Sequence, residues 1–297
     1  GADETVVVTV KPEPVISAGQ NPVVCSNTAL DHQILMDNFT NPGDNVTFTW
    51  PSPVPDADPD FSGGTARAAG SSANITDTYV NQSNLTLQSE YTITPVLDGC
   101  TGNAQSVIVD VKPEAVITPD QEQTVCSRET SSLDILLENF SNPGDNVTFT
   151  WSAPTLSTTT NFSGGSERLA GSIDPLEDQF INQTGTQQTA TYSVTPYVNG
   201  CPGTPVDVVI RVDPEPVVTA AQQPEICSDV NLNYQIAVDN VNAASVEYTW
   251  NTPALDAGLT GGTARNPAAT GNITDAFNNT TSNTLNAVYT VTPWYNG

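Results

Sequence analysis

Basic side chains are scarce in this chain. Seven Lys and Arg stand against 33 Asp and Glu, leaving a net charge of -26. Such a surface repels a phosphate backbone, and no basic stripe offsets the repulsion, so nucleic acid and anionic membranes are poor partners. Histidine occurs once and methionine once. Gly-x-Ser-x-Gly, His-Glu-x-x-His and a phosphate loop are all missing, so no nucleophile has a base and no water has a metal to activate it. We expect no enzyme and no cofactor. No run of 18 apolar residues exists, so no membrane-spanning helix is expected. Long amphipathic helical patterns are absent too. No signal peptide is visible, and the chain opens with Gly1 rather than Met. The acidity serves solubility in the plainest reading; the sharper one is binding of Ca2+ or of a cationic or sugar surface.

What is present is a repeat. Val46, Phe48 and Trp50 alternate with Thr47 and Thr49, the period of a half-buried strand. The pattern returns at Val147, Phe149 and Trp151, and again at Val246, Tyr248 and Trp250. The spacing is near 100 residues, an ordinary size for one β-sandwich. The predicted core aromatics are therefore Phe48, Trp50, Phe149, Trp151, Tyr248 and Trp250. Each unit also carries an earlier apolar strand (His32, Ile34, Met36 in the first) and Gly63-Gly64 or its equivalents, Gly164-Gly165 and Gly261-Gly262. The turns Asn41 to Asn45 and Asn142 to Asn146 combine residues of fixed and free φ. A penultimate strand follows from Tyr91, Tyr192 or Tyr289 to a proline. About seven strands per unit predict tandem all-β, immunoglobulin-like sandwiches in an extended rod. His32 shares its column with Leu133 and Tyr234, and reads as a core-edge residue rather than a ligand or base.

Cysteines keep the same frame. Cys25, Cys126 and Cys227 are early in their units and 101 residues apart; Cys100 and Cys201 are late. Even placement implies disulfides and an oxidising, extracellular compartment. The expected pairing is within units, Cys25 with Cys100 and Cys126 with Cys201, so that each unit folds alone. The alternative joins Cys100 to Cys126. Cys227 is left over, its partner expected beyond the chain end.

The frame also sets the boundaries. Val6, Val8 and Val10 match Val107, Val109 and Val111, and Val208, Ile210 and Val212. Residues 1-12 read as the last strand of a preceding repeat, 13-112 as repeat 1, 113-213 as repeat 2, and 214-297 as repeat 3 without its last strand. The expectation is a window of a longer array; the alternative is a subunit that donates its first strand to a neighbour's open third unit. Pro12-Glu13-Pro14 and its counterparts at 113 and 214 mark short, stiff joints.

Arg67 and Asp77, Arg168 and Asp178, and Arg265 and Asp275 are each ten apart. The repetition predicts one structural ion pair per unit, Arg forking onto the carboxylate. Asp37, Glu138 and Asp239 form a second acidic column that competes for the same Arg. Asp56 to Asp60 resembles a calcium loop, but the positions for Gly and Glu hold Phe61 and Arg67. No metal site is expected, Ca2+ there or at Glu13, Glu114 and Glu215 being the alternative. Asn38-Phe39-Thr40, Asn45-Val46-Thr47 and Asn74-Ile75-Thr76 fit the glycosylation acceptor pattern.

The motifs occur in a fixed order: Cys25-Ser26, Thr47 to Trp50, Gly63-Gly64, Tyr91 to Pro95, Gly99-Cys100 and Val109 to Pro113, with like residues in the second unit. That order resembles the PKD-like repeats of large Bacteroidetes surface proteins, among them the gliding-motility adhesins, over nearly the whole chain. The resemblance implies β-sandwich repeats, type IX secretion and a place at the cell surface. The leading functional reading is a non-catalytic, structural or adhesive stalk of a giant secreted protein or filament. Its partners are neighbouring repeats of the same protein and extracellular polysaccharide or surfaces. The alternatives are a carbohydrate-binding array, using Trp294 or loop aromatics, and a filament subunit assembling by strand donation. With only seven basic residues, Lys11 and Lys112 both preceding proline, the folded chain should resist trypsin for hours on a denaturing gel; rapid loss of the intact band would contradict ordered joints.

Overall fold

In a computed structural model, the described residues are 1, 3-39, 45-70, 74-140 and 146-295. The turns predicted at Asn41 to Asn45 and Asn142 to Asn146 lie largely outside them. The chain is all-β: short strands and one 3-10 turn at Ala243–Ser245 make up its regular structure among these residues.

Units one and two share one sheet order. In the first, the order is Val23–Cys25, Gln105–Lys112, Leu87–Leu97, Thr47–Trp50 and Arg67–Gly70. In the second it is Glu122–Cys126, Val206–Asp213, Gln188–Val198, Thr148–Trp151 and Arg168–Ser172. The first pair of each order is parallel and the others are antiparallel. A facing layer is built of short ladders, such as His32–Gln33 with Asn74–Ile75 and Phe61–Gly63 with Tyr79–Asn81, and of single bridges such as Ile16 to Met36.

Three separate cores follow. Phe48, Tyr91, Val107, Val109 and Val111 are buried in the first; Phe149, Tyr192, Val208, Ile210 and Val212 in the second; Val246, Tyr248 and Trp250 in the third. The strand Leu87–Leu97 buries every second side chain, the alternation that one wet and one dry face demand.

In the third unit Val246–Trp250 pairs with Arg265–Ala269 and Val291–Tyr295 among the described residues. In units one and two the early strand, ending at Cys25 or Cys126, pairs among the described residues only with the last strand of its unit. Its counterpart in the third unit, residues 223-227, forms no strand and is exposed throughout. Leu285, Ala287, Tyr289 and Val291 are only half-buried, although their equivalents Tyr91, Ile93, Tyr192 and Val194 are at 0 % exposure. Residues 3-10 belong to no strand among the described residues, with Val6 84 % and Val10 85 % exposed.

Unit three should therefore open first. Backbone amides of Val291–Tyr295 are expected to exchange with deuterium at least tenfold faster than those of Tyr192 to Val198. Equal protection in the two strands would show that the shallower burial of unit three does not limit its stability.

Candidate functional site

The recurring polar residues gather in two places: a tryptophan corner inside each unit and the joint between units. The corner starts from the Gly pair. Gly64 and Gly165 adopt positive φ, and a Cβ on either would lie 2.4 Å from Cγ of Pro53 or Pro154. Only glycine lets the chain turn here. The turn presents the carbonyl of Thr65, Ser166 or Thr263, which accepts from the indole N–H of Trp50, Trp151 or Trp250 at 2.9, 3.1 and 2.9 Å. The hydroxyls of the same three residues donate to Asp77, Asp178 and Asp275, each at 2.6 Å. The other carboxylate oxygen accepts from Tyr91, Tyr192 or Tyr289. Each of these tyrosines stands edge-on to its tryptophan, with ring centroids 5.8 to 6.1 Å apart.

The arginines take a different place from the predicted one. Arg67, Arg168 and Arg265 lie over the rings of Trp50, Trp151 and Trp250 at 4.4, 4.1 and 4.1 Å. Arg168 donates to the carbonyls of Asp174 and Pro175, and Arg265 to those of Ala269, Gly271 and Asn272. The two salt bridges among the described residues are Arg128–Glu215 and Arg211–Glu122. The expected ion pairs at Arg67–Asp77, Arg168–Asp178 and Arg265–Asp275 are thus corrected. The indole face offers the guanidinium a cation–π seat, while the carboxylate is occupied by hydroxyl donors. Burial, then the bond to the carboxylate, pushes the Tyr192 and Tyr289 hydroxyls well above their ordinary range. Burial pushes the Asp275 carboxyl up, but hydrogen bonds from Thr263 and Tyr289 outweigh it and hold the group below its ordinary value. The second acidic column does not meet these arginines either: Asp37 accepts from Ser17 and Asp239 from Thr219.

The joint is a polar lock. Glu114 follows the last strand of unit one directly and is 1 % exposed. It accepts from Asn27, Gln82 and, at 3.4 Å, Thr204. At the next joint Glu215 accepts from Arg128 through two nitrogens, at 2.5 and 2.9 Å, and from Gln183. Burial works to raise the Glu215 carboxyl, but the bonds from Arg128 and Gln183 prevail and hold it below the usual range. Asn139 Nδ2 clamps three carbonyls, of Gln82, Ser83 and Glu114; Asn240 repeats this on Gln183, Thr184 and Glu215. Sequence reasoning missed this clamp. The signal was the recurrence of Asn38, Asn139 and Asn240, which the acceptor pattern at Asn38 presented as a sugar site. The glutamates considered for calcium are satisfied by protein donors, and no three metal-ligating side chains come together among the described residues. Asp56 and Asp58 instead accept from backbone amides of Gln88 and Asp60.

The disulfide crosses the joint. Cys25 bonds to Cys201, 176 residues away, with Cα atoms 5.5 Å apart; Cys100, Cys126 and Cys227 are free thiols. This corrects both within-unit pairs and the Cys100–Cys126 alternative. The reason is the parallel pairing of the early strand. Cys25 lies opposite Lys112, at the end of strand Gln105–Lys112, whereas Cys100 sits before its start. Eight residues of strand separate them by roughly 26 Å, far beyond disulfide reach. Cys201 occupies the hairpin of unit two that lies at the joint, where Gly203 packs against Ala115 and Thr204 donates to Glu114. Closing so long a loop contributes about 5 kcal/mol in the chain-entropy model. Burial, then Glu129 and Asp213, pushes the Cys126 thiol up.

A model of the PKD-like domain family matches three times, at residues 22–115, 123–216 and 224–297. No curated protein matches. Solved structures with a similar fold include a three-domain titin segment, I67-I69 (9 % identity, TM-score 0.31, covering 95 % of this chain and 98 % of that one). A three-domain CNTN1 segment from chicken is another (11 %, 0.27, 95 % and 92 %). The extracellular domain of protocadherin GammaB4 is a third (14 %, 0.26, 68 % of this chain). The chain spans about a third of that protocadherin's length, covering 34 % of it.

A double-mutant cycle separates the two geometries of the corner. Asp178→Ala should cost about 1–3 kcal/mol by stranding two hydroxyls, and Arg168→Ala about 1 kcal/mol by removing the ring contact. Their coupling should stay below about 0.5 kcal/mol. A coupling of several times that size would restore the ion pair.

Proposed function

The chain belongs to the PKD-like domain family, and from that premise we propose that it is a load-bearing, adhesive stalk segment of a large secreted surface protein or filament, without catalysis. The observation that carries this is the Cys25–Cys201 bond. A staple inside one unit protects only that unit. This one spans the joint, so tension entering at Cys25 leaves at Cys201 and bypasses everything between. The locked carboxylate of Glu114 and the clamp of Asn139 hold the same joint without the disulfide. A disulfide requires an oxidising compartment, which supports the cell surface as the location. Among the described residues no helix is long and apolar enough to cross a membrane. The order of motifs that resembles gliding-motility adhesins supports the narrower reading of a type IX-secreted Bacteroidetes adhesin.

A carbohydrate-binding array is less favoured. Trp50, Trp151 and Trp250 are buried, at 4, 4 and 7 % exposure. Trp294 is 52 % exposed, but Val96 and Tyr197 occupy its column, so it does not repeat as a stacking platform.

Single-molecule stretching tests the load path. Under oxidising conditions the residues between Cys25 and Cys201 should stay unextended; reductant should release roughly 600 Å of contour length. Extension of the whole chain at the same force without reductant would sink the load-bearing reading.

A further inference from the structure

We propose that unit two carries one binding site for a neutral glycan, on the open face of its main sheet, and that the adhesive stalk grips there. The proposal deepens the adhesive reading and rests on it. The site is an open hollow of about 420 Å3, lined by Thr150, Ser152, Leu169, Ser193, Thr195 and Tyr197 above the buried Trp151. That volume lies within the roughly 300–1,000 Å3 of small-molecule sites. Strand pairing builds the floor. Thr148–Trp151 lies against Gln188–Val198, with Thr150 opposite Thr195 and Thr148 opposite Tyr197. The alternation that buries Phe149, Trp151, Tyr192 and Val194 turns Thr150, Ser193, Thr195 and Tyr197 to the other face. Ser193 to Tyr197 spans about 13 Å of strand, room for a short oligosaccharide rather than one ring.

The donor set selects the ligand. Five of these six side chains carry a hydroxyl, and none of the five hydroxyls makes a hydrogen bond to another described residue. A hydroxyl both donates and accepts, so this floor matches the hydroxyls of a sugar in either sense. Two apolar groups complete the lining. Leu169 is 73 % exposed. Tyr197, with Pro202 opposite it across the hairpin, offers a ring for the C–H face of a pyranose. Among the described residues no charged side chain lines the hollow, although the chain carries 33 acidic ones. The exposed Asp207, opposite Ser193, stands at the rim as a further acceptor. A chain of net charge -26 repels an anionic polymer, and two separate apolar groups are too small a patch for a lipid or an apolar helix.

Units one and three break the set. Unit one has Pro51, Ala68 and Val96 in the places of Ser152, Leu169 and Tyr197. Unit three has Asn251, Asn266 and Trp294 there. Its Trp294 indole donates to Thr249, the counterpart of Thr150, and Glu247 stands where unit two has Thr148. The full set thus occurs once, and the chain is not an array of such sites. The position suits the load path. Val198 pairs with Cys201, so a ligand held at Tyr197 pulls on the chain beside the Cys25–Cys201 bond.

Calorimetric titration of the 297-residue chain with cello-, laminari-, manno- and xylohexaose, and with anionic oligogalacturonate, tests the site. At least one neutral hexaose is expected to bind, and oligogalacturonate is expected not to. Tyr197→Ala should weaken the binding about tenfold, and Thr150→Val with Thr195→Val about fivefold. Leu169→Asp changes only an exposed side chain, so the fold is not at risk, and it should weaken binding as well. Val96→Ala in unit one should leave it unchanged. Absence of binding by every neutral hexaose at millimolar concentration, binding unmoved by the unit-two substitutions, binding lost with Trp294→Ala, or equal binding of oligogalacturonate would each overturn the proposal. Stretching the chain without glycan reads the load path alone, so the two readings fail separately.

Discussion

The last strand of each unit is the constraint on which the rest depends. Gln105–Lys112 lies between the penultimate strand on one side and Val23–Cys25 on the other. Its Val107, Val109 and Val111 are at 0 % exposure, and its end runs without a break into the next joint. One element thus fills the core, recruits the early strand and aims the following unit. The third unit shows the converse. There the segment 223-227 forms no strand, and Tyr289 is only half-buried. Backbone groups in a sheet need partners on both sides or water, so an early strand forms where a last strand lies beside it.

The joints are held by polar geometry rather than by apolar contact. A carboxylate at 1 % exposure, as at Glu114, is costly to bury unless its oxygens are matched by donors. Asn27 and Gln82 supply them. The second joint reaches the same end with Arg128 on Glu215. Hydrogen bonds of this kind demand one orientation, which an apolar contact does not, and so they set direction as well as strength. Across the first joint the disulfide adds a covalent tie that does not rely on solvent or salt.

The tryptophan corner shows how a repeated spacing misleads. An arginine and an aspartate ten residues apart, three times over, point to partnership by charge alone. In the fold the arginine serves the tryptophan and the aspartate serves the hydroxyls around it, with no salt-bridge contact between the two among the described residues. The arginine lies on the indole face, while the aspartate gathers two hydroxyls beneath it. Recurrence revealed that both residues matter, but not to what, because the alternative partners are backbone carbonyls and a ring face, which carry no charge to notice.

The sequence by itself determined the all-β class, the three-fold repeat and the apolar faces that became the buried Phe48, Trp50, Phe149, Trp151, Tyr248 and Trp250, since side-chain alternation is local and needs no tertiary information. The PKD-like motif order was legible for the same reason. Only the tertiary structure decided which cysteines meet, where the arginines lie, and that Asn139 clamps a neighbouring unit. The disulfide turns on strand direction: a parallel pairing carries Cys25 to the far end of its sheet, away from Cys100 and towards Cys201. Nothing in a spacing of residues records whether two strands run the same way.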